Sequence, residues 1–217
     1  MNENSFETRY DITAKSKIKK FYETYKILLF SSISILLIAL LSLNFFLSHK
    51  EKKRVEFSEN YIKAKIFLEN GNNNEAKSIL EDLVMSNDPV YSTLSFFLIL
   101  DKNLINNKNE ITAMFDHILE NNKYEKELKN LLIYKKALYS SSYLSEPEIL
   151  KELSPLLNEK ETLWKPHALF LMGDYFVSTN QNFKAKEFYL QILNTKNLHQ
   201  EMYDLAQSKL IRINNVK

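Results

Sequence analysis

The chain has 217 residues, no cysteine and a formal net charge of +2. The absence of cysteine excludes disulfides, thiolate catalysis and cysteine-based metal or haem sites. Residues 1–54 hold ten basic and five acidic residues, a net charge of +5, whereas residues 55–217 hold nineteen and twenty-two, a net charge of −3. A nucleic-acid-binding domain would carry a basic surface on its folded part, so this distribution argues against a nucleic-acid partner.

Residues 27–47 form an uninterrupted apolar segment, ILLFSSISILLIALLSLNFFL, without a charged residue, glycine or proline. About 20 apolar residues in a helix cross the ~30 Å hydrocarbon core of a bilayer, and aromatic residues flank both ends. A buried core helix is seldom apolar on all sides, and a signal peptide has a shorter apolar region with a small-residue cleavage site. We therefore predict one uncleaved transmembrane helix at 27–47, preceded by a tail at 1–26.

The basic residues near this segment do not by themselves decide its orientation. The flanks 9–26 and 48–65 carry six basic residues each, which is a tie under the positive-inside rule. Charges in short segments count more, and long following domains translocate largely regardless of charge. This favours a cytoplasmic N-terminus and a translocated domain at 48–217, with the basic residues close to anionic lipid headgroups.

The first part of the domain is predicted to continue the membrane helix. Residues 48–69 contain neither glycine nor proline, and Phe57, Tyr61, Ala64 and Leu68 fall on one helical face. We therefore expect helix from the membrane span nearly unbroken into the domain.

Beyond residue 70, an apolar helical stripe recurs with starts at Ala76, Ile111, Glu146 and Ala185. Recurrence near 34 residues is typical of stacked helix hairpins, because a single hairpin cannot bury its apolar face alone. A final helix at about 199–214 would cover the end of the stack. The partner helix of each stripe is predicted upstream, at about 55–69, 89–104, 124–142 and 166–179.

Asparagine is expected to make most of the turns, since it tolerates left-handed backbone angles and the chain has only 2 glycines. Pro89, Pro147 and Pro166 fall near predicted helix starts, where a missing N–H is harmless. Pro155 falls inside a predicted helix and is expected to kink or shorten it. The predicted turns lie at Asn70–Asn74, Asn106–Asn109, Ser142–Ser145 and Asn180–Asn182.

Two hairpins resemble tetratricopeptide repeats, with a small residue, an aromatic residue three positions on, alanine twelve on and an aromatic residue sixteen on. The first hairpin has leucine at the last of these places. The middle two hairpins depart from the pattern, with Ile99 and Tyr134 at the small position. The resemblance implies that small residues let the two helices of a hairpin approach. The matching residues are Gly173, Phe176, Ala185 and Tyr189 in the last hairpin, and Ala64, Phe67, Gly71, Ala76 and Leu80 in the first.

The whole arrangement resembles the ancillary SecYEG translocon subunit family. A polar leader, one span, an immediate basic helix and three or four degenerate hairpins are followed by LFLMGDYFVSTNQNFKAKEFYLQIL near the end, and the resemblance covers nearly the full chain. It implies a bacterial inner-membrane protein with a periplasmic repeat domain. It also implies association with the Sec translocon, with a membrane-anchored prolyl-isomerase-like chaperone and with translocating clients. The family offers no catalytic motif to carry over.

The sequence itself indicates no enzyme. The four histidines are isolated, and neither a glycine-rich phosphate loop nor a G-x-S-x-G turn occurs. We therefore predict no catalytic residue, cofactor, metal ion or small-molecule substrate.

Protein binding is the favoured function, since the first helix of each hairpin lines the concave face in such solenoids. The family's concave positions fall on Tyr61 and Lys65 in the first hairpin and on His167, Phe170 and Asp174 in the last. The alternative interpretation is that these five are ordinary surface and packing residues. Two other functions stay open: a scaffold for envelope assembly or cell division, and an enzyme or lipid-handling protein with a cavity inside the solenoid.

Overall fold

The computed structural model describes residues 17–159 and 163–215, and within these ranges the chain forms α-helices and no strand. The chain divides into two compact units, Met1–Glu56 and Phe57–Lys217. The helices of the described ranges are α1 (Lys17–Glu69), α2 (Asn73–Val84), α3 (Tyr91–Asp101), α4 (Lys108–Asn121), α5 (Lys126–Ser140), α6 (Glu146–Leu157), α7 (Lys165–Ser178), α8 (Asn182–Leu193) and α9 (Gln200–Asn215).

Helix α1 confirms the expected continuity, because it passes without a break through the apolar segment and on to Glu69. It is the one helix of the described ranges that is long and apolar enough to cross a membrane. Three serines in the segment, Ser31, Ser32 and Ser42, donate their hydroxyls to carbonyls three residues earlier, each at 2.9 Å. These bonds satisfy the hydroxyl protons within the helix. Of the predicted tail at 1–26, the first 16 residues lie outside the described residues and the rest belong to α1.

The helices after α1 begin and end close to the predicted bounds, and we group them into four hairpins. The first helices are the last part of α1 (57–69), α3, α5 and α7, and the second helices are α2, α4, α6 and α8. The buried side chains form two apolar clusters, one spanning α1 to α5 and the other α5 to α9. Helix α5 joins them, since Leu132 belongs to the first cluster and Ala137 to the second.

A fixed spacing of buried residues recurs in all four hairpins. One buried residue in the first helix, which we call the packing position, is followed by buried residues 12 and 16 positions later. The first of these two is always the fourth residue of the second helix. The sets are Ala64, Ala76 and Leu80; Ile99, Ile111 and Phe115; Ala137, Ile149 and Leu153; and Gly173, Ala185 and Tyr189.

This spacing corrects the predicted register of the third hairpin. The stripe was expected to start at Glu146, with Tyr134 at the packing position, but both residues are only half-buried. Glu146 is the first residue of α6, which a capping box at Ser145 starts, so the first buried position comes three residues later. Ala137 therefore occupies the packing position, and only the second hairpin lacks a small residue there.

The turns confirm the expected role of asparagine in the second and fourth hairpins, whereas glycine takes that role in the first. Gly71, Asn103 and Asn180 have positive φ angles of 79°, 49° and 59°, and each lies two residues after the last residue of its first helix. In each turn, the N–H of the positive-φ residue and that of the next residue return to carbonyls of the last helical turn, the Schellman arrangement. In the third hairpin, neither of the two residues after α5 has a positive φ angle, and the first of them, Ser141, has φ −59°.

Pro155 was expected to kink or shorten α6, and it does not shorten the helix. The helix continues to Leu157 and has 12 residues, as do α2 and α8. Proline lacks the N–H that would bond to the carbonyl of Lys151, but the Ser154 hydroxyl donates to that carbonyl at 2.9 Å. The carbonyl is thereby satisfied, and the helix tolerates the proline near its end.

Polar contacts join successive hairpins around the clusters. The Thr93 hydroxyl lies 2.7 Å from the Tyr124 hydroxyl, which precedes α5. Lys136 on α5 pairs with Asp116 on α4 at 2.7 Å and with Glu152 on α6 at 3.2 Å. Burial by itself lowers the pKa of Lys136, but the hydrogen bonds and negative charges of its two partners outweigh it and hold the pKa above the ordinary value.

Candidate functional site

An aromatic side chain lies three residues before the packing position in every first helix. We call Tyr61, Phe96, Tyr134 and Phe170 the aromatic row. Two members are closed off, since Phe96 is fully buried and Phe170 is 8% exposed. Tyr61 and Tyr134 are half-buried, and these two are the members that can contact another molecule.

Phe170 was expected to line a binding surface, and its burial corrects that expectation. Its ring packs edge-on against the ring of Tyr189, with centroids 5.4 Å apart. The ammonium of Lys209 on α9 lies 5.9 Å from the same ring. Phe170 is therefore part of the packing between α7, α8 and α9 rather than an accessible anchor.

Asp174 is likewise committed to internal contacts. Its Oδ1 accepts hydrogen bonds from the Tyr189 hydroxyl at 2.5 Å and from Lys209 Nζ at 2.6 Å. Burial raises the pKa of Tyr189, and the hydrogen bond and negative charge of Asp174 raise it further. Asp174 thus ties α9 to the last hairpin and keeps the Tyr189 proton in place as the donor.

Tyr61 and Lys65, the two candidates in the first hairpin, lie one helical turn apart. The Tyr61 ring lies 6.3 Å from the ring of Tyr91 at the start of α3. Burial raises the pKa of Tyr61, so the hydroxyl stays protonated as a hydrogen-bond donor. Lys65 is exposed, so this pair offers an aromatic ring beside a positive charge.

His167 lies in a group of rings that we call the aromatic cluster, made of Tyr134, Trp164 and His167. The His167 ring is 5.9 Å from Tyr134 and 5.2 Å from Trp164. Its Nδ1 lies 3.1 Å from the Leu163 carbonyl, which can only accept, so this nitrogen carries the proton. Trp164 donates from Nε1 to Glu127 at 3.0 Å, which fixes the indole against α5.

The structure brings His167 together with two residues, Tyr134 and Trp164, that the sequence did not predict as binding residues. Tyr134 shares the register of Tyr61 and Phe170, so the spacing from Ala137 was the signal that could have found it. Trp164 had no local signal beyond being the single tryptophan of the chain.

The described residues hold no group of three or more histidine, aspartate or glutamate side chains that could bind a metal ion. What the exposed parts of the row and the cluster offer is ring surface with a few donors, which suits polypeptide binding. No family model, curated protein or solved structure matches the chain.

Proposed function

We propose that this chain is a non-enzymatic adaptor of the bacterial inner membrane. Helix α1 crosses the bilayer once at 27–47, the N-terminus is cytoplasmic and the domain beyond the span is periplasmic. The domain is a tetratricopeptide-like solenoid of four hairpins, with α9 as its closing helix. The adaptor associates with the Sec translocon and binds translocating proteins or a periplasmic chaperone.

One observation carries the proposal: the apolar segment and the first helix of the repeated hairpins belong to a single unbroken helix. An anchor joined directly to a binding domain confines that domain to the membrane surface. Confinement raises the effective concentration of the domain near a membrane-bound exit site. Weak contacts with passing polypeptides are then sufficient for capture.

The recurring spacing of buried residues supports the solenoid, since the same three positions are buried in each of the four hairpins. In such a stack the aromatic row follows the inner surface of successive first helices. Its accessible members, Tyr61 and Tyr134, are the proposed anchors, together with His167 and Trp164 of the aromatic cluster. Lys65 adds a positive charge next to Tyr61.

Site-specific photo-crosslinking in living cells tests this proposal. A photoreactive phenylalanine analogue replaces Tyr61 or Tyr134 in the full-length chain, and crosslinked peptides are identified by mass spectrometry. We expect translocon subunits and newly secreted polypeptides among the products. Phe183, which is 77% exposed on α8 and outside the row, is the matched control position and should not yield them.

Crosslinks from Tyr61 and Tyr134 to division or outer-membrane assembly proteins, without translocon components, would instead support an envelope scaffold. The orientation is tested separately with a reporter fused after Lys217 that is active only in the periplasm. An inactive periplasmic reporter and an active cytoplasmic one would overturn the topology.

A further inference from the structure

Three basic side chains lie on one side of α1, directly after the apolar segment 27–47. At about 100° per residue, Lys50, Lys53 and Arg54 fall within an arc of about 100° around the helix, and all three are exposed. We call them the basic patch. The acidic residues Glu51 and Glu56 lie outside the arc, about 60° beyond its two edges. Positive charge is therefore concentrated on one side of the helix.

The cations of the basic patch are available to an external anion. No ion pair between described residues involves Lys50, Lys53 or Arg54. Residues three and four positions apart are neighbours on a helix surface, so these three long side chains can reach one and the same anion. A phosphate group suits them, because arginine binds it with two parallel hydrogen bonds and lysine binds it as a point charge.

The same side of α1 is apolar on the membrane side of the patch. Leu36, Ala39, Leu43 and Phe46 all lie within about 40° of Lys50 in projection along the helix, and we call these four residues the apolar strip. The three large side chains are 56% to 67% exposed. Ala39 leaves a shallow depression between Leu36 and Leu43. A molecule with a phosphate and a hydrocarbon chain would contact both the patch and the strip, whereas a free phosphate would contact the patch alone.

We propose that the basic patch and the apolar strip together bind an anionic phospholipid. Its phosphate lies at Lys50, Lys53 and Arg54, and an acyl chain follows the strip. A zwitterionic phospholipid binds more weakly, because its own ammonium or choline group compensates the charge of its phosphate. The inference rests on the proposed crossing of the bilayer by α1, but not on the identity of any protein partner.

The test uses the full chain in phosphatidylcholine vesicles, with one cysteine introduced by Ser48→Cys. The chain has no cysteine of its own, and position 48 faces about 160° away from Lys50. A fluorescent donor on this cysteine reports energy transfer to a small amount of acyl-labelled lipid, which is either phosphatidylglycerol or phosphatidylcholine. Because one lysine or arginine near a membrane surface strengthens anion binding about fivefold, phosphatidylglycerol should be enriched around the donor at least that much.

Single substitutions at one depth test whether the charge acts from one side of the helix. Lys53→Gln should lower the preference for phosphatidylglycerol by about threefold to fivefold. Lys52→Gln is the matched control, because it removes the same charge from an exposed lysine outside the patch. It should lower the preference much less. Equal losses from the two substitutions would mean a diffuse attraction around the whole helix and would overturn the proposed site.

Further outcomes separate the lipid site from its alternatives. Soluble glycerol 3-phosphate, compared with sodium chloride at the same ionic strength, should not remove the preference; if it does, the patch binds free phosphate and the proposal is wrong. Equal transfer to both labelled lipids would overturn the lipid site but leave the membrane crossing intact. If neither lipid receives energy, the crossing of the bilayer by α1 is wrong, and the lipid site is wrong with it.

Discussion

The first and the fourth hairpins have the same spacing of buried and turn residues, but their surroundings differ. Residues 57–84 and 166–193 match at a constant offset of 109, which superposes the packing position, the positive-φ turn residue and the start of the second helix. The two buried positions 16 residues apart hold Ala64 and Leu80 in the first hairpin. In the fourth they hold Gly173 and Tyr189, and the Tyr189 ring lies directly against Gly173. A larger residue on one side is matched by a smaller one on the other.

The two hairpins differ most in what surrounds them. The positions of Ile62 and Ile66 are exposed in the first hairpin, whereas the matching Leu171 is 7% exposed and Tyr175 is half-buried in the fourth. Lys65 is exposed, while the matching Asp174 is engaged by Tyr189 and Lys209. The same local fold therefore presents a free surface at the start of the domain and an enclosed one near its end.

The largest difference in stability is expected when matched residues of the first and the fourth hairpin are each truncated to alanine. Leu171→Ala removes a buried side chain and should lower the free energy of unfolding by about 3 kcal/mol, the usual cost of such a cavity. Ile62→Ala, at the matching exposed position, should change it by less than about 0.5 kcal/mol. Urea unfolding of the full chain in detergent, followed by far-ultraviolet circular dichroism, measures both. Equal losses of unfolding free energy would mean that the two side chains are equally buried.

The next prediction concerns the sizes of the two residues that meet at the packing position of the fourth hairpin, Gly173 and Tyr189. A Cβ added at Gly173 would lie 2.6 Å from Tyr189 Cε1, and that ring is fully buried and held by Asp174. Gly173→Ala should therefore destabilise the chain by about 2 kcal/mol, because overpacking outweighs the better helix propensity of alanine.

The double change Gly173→Ala with Tyr189→Leu copies the pair of the first hairpin and provides the control. It should be more stable than the sum of the two single changes predicts, by about 1 kcal/mol or more, because the smaller residue relieves the clash. Strict additivity in the same unfolding assay would contradict the idea that the two hairpins balance size across one contact.

Removing the charge of Asp174 should have a smaller effect on the free energy of unfolding, and this effect should depend on pH. Asp174→Asn weakens two hydrogen bonds to a carboxylate and should cost about 1.5 kcal/mol at pH 7, whereas Lys65→Asn should cost almost nothing. Because the pKa of Tyr189 is raised above 10.0 in the folded chain, the unfolded chain loses this proton first, and stability falls as the pH rises above about 10.

Without the carboxylate, the Tyr189 pKa is raised less, so this alkaline loss should level off at a lower pH in the Asp174→Asn chain than in the unmodified one. Unfolding curves recorded at several pH values from 7 upward check both statements. Identical alkaline profiles would show that Asp174 does not act on Tyr189.

The sequence predicted the helices well because their signals are local. Apolar periodicity, helix-starting prolines and turn asparagines each act within a few residues, and all the helices after α1 follow from them. The register of the third hairpin failed for a local reason too. Glu146 begins α6 but is not buried, and the spacing from Ala137 to Ile149 and Leu153 marks the true packing position.

The candidate site was less predictable because it depends on contacts between distant segments. Helix α9 was expected to cover the end of the stack, but its spacing could not tell that Lys209 would reach Asp174 and lie over Phe170. Similarly, Tyr134 meets Trp164 and His167 only through the packing of α5 on α7. Which aromatic residues stay accessible is therefore a property of the assembled hairpins.

The smallest effects on stability are expected from substitutions in the turns that follow the first helices. Gly71 has φ 79° and open space around its missing Cβ, so Gly71→Ala should cost about 1 kcal/mol from backbone strain alone. Gly71→Asn should cost less, because asparagine adopts this conformation more easily. The reverse change Asn180→Gly should be nearly neutral.

The third hairpin provides the control for these turn changes. Ser141 caps α5 at φ −59°, where glycine gains nothing and loses more chain entropy on folding, so Ser141→Gly should destabilise by about 0.5 kcal/mol or more. If Ser141→Gly and Asn180→Gly had the same effect on the unfolding free energy, the distinction between the left-handed turns and the third turn would be wrong. If Asn180→Gly is neutral and Ser141→Gly is destabilising, asparagine takes the place of glycine in those turns where a residue after a first helix has a positive φ angle.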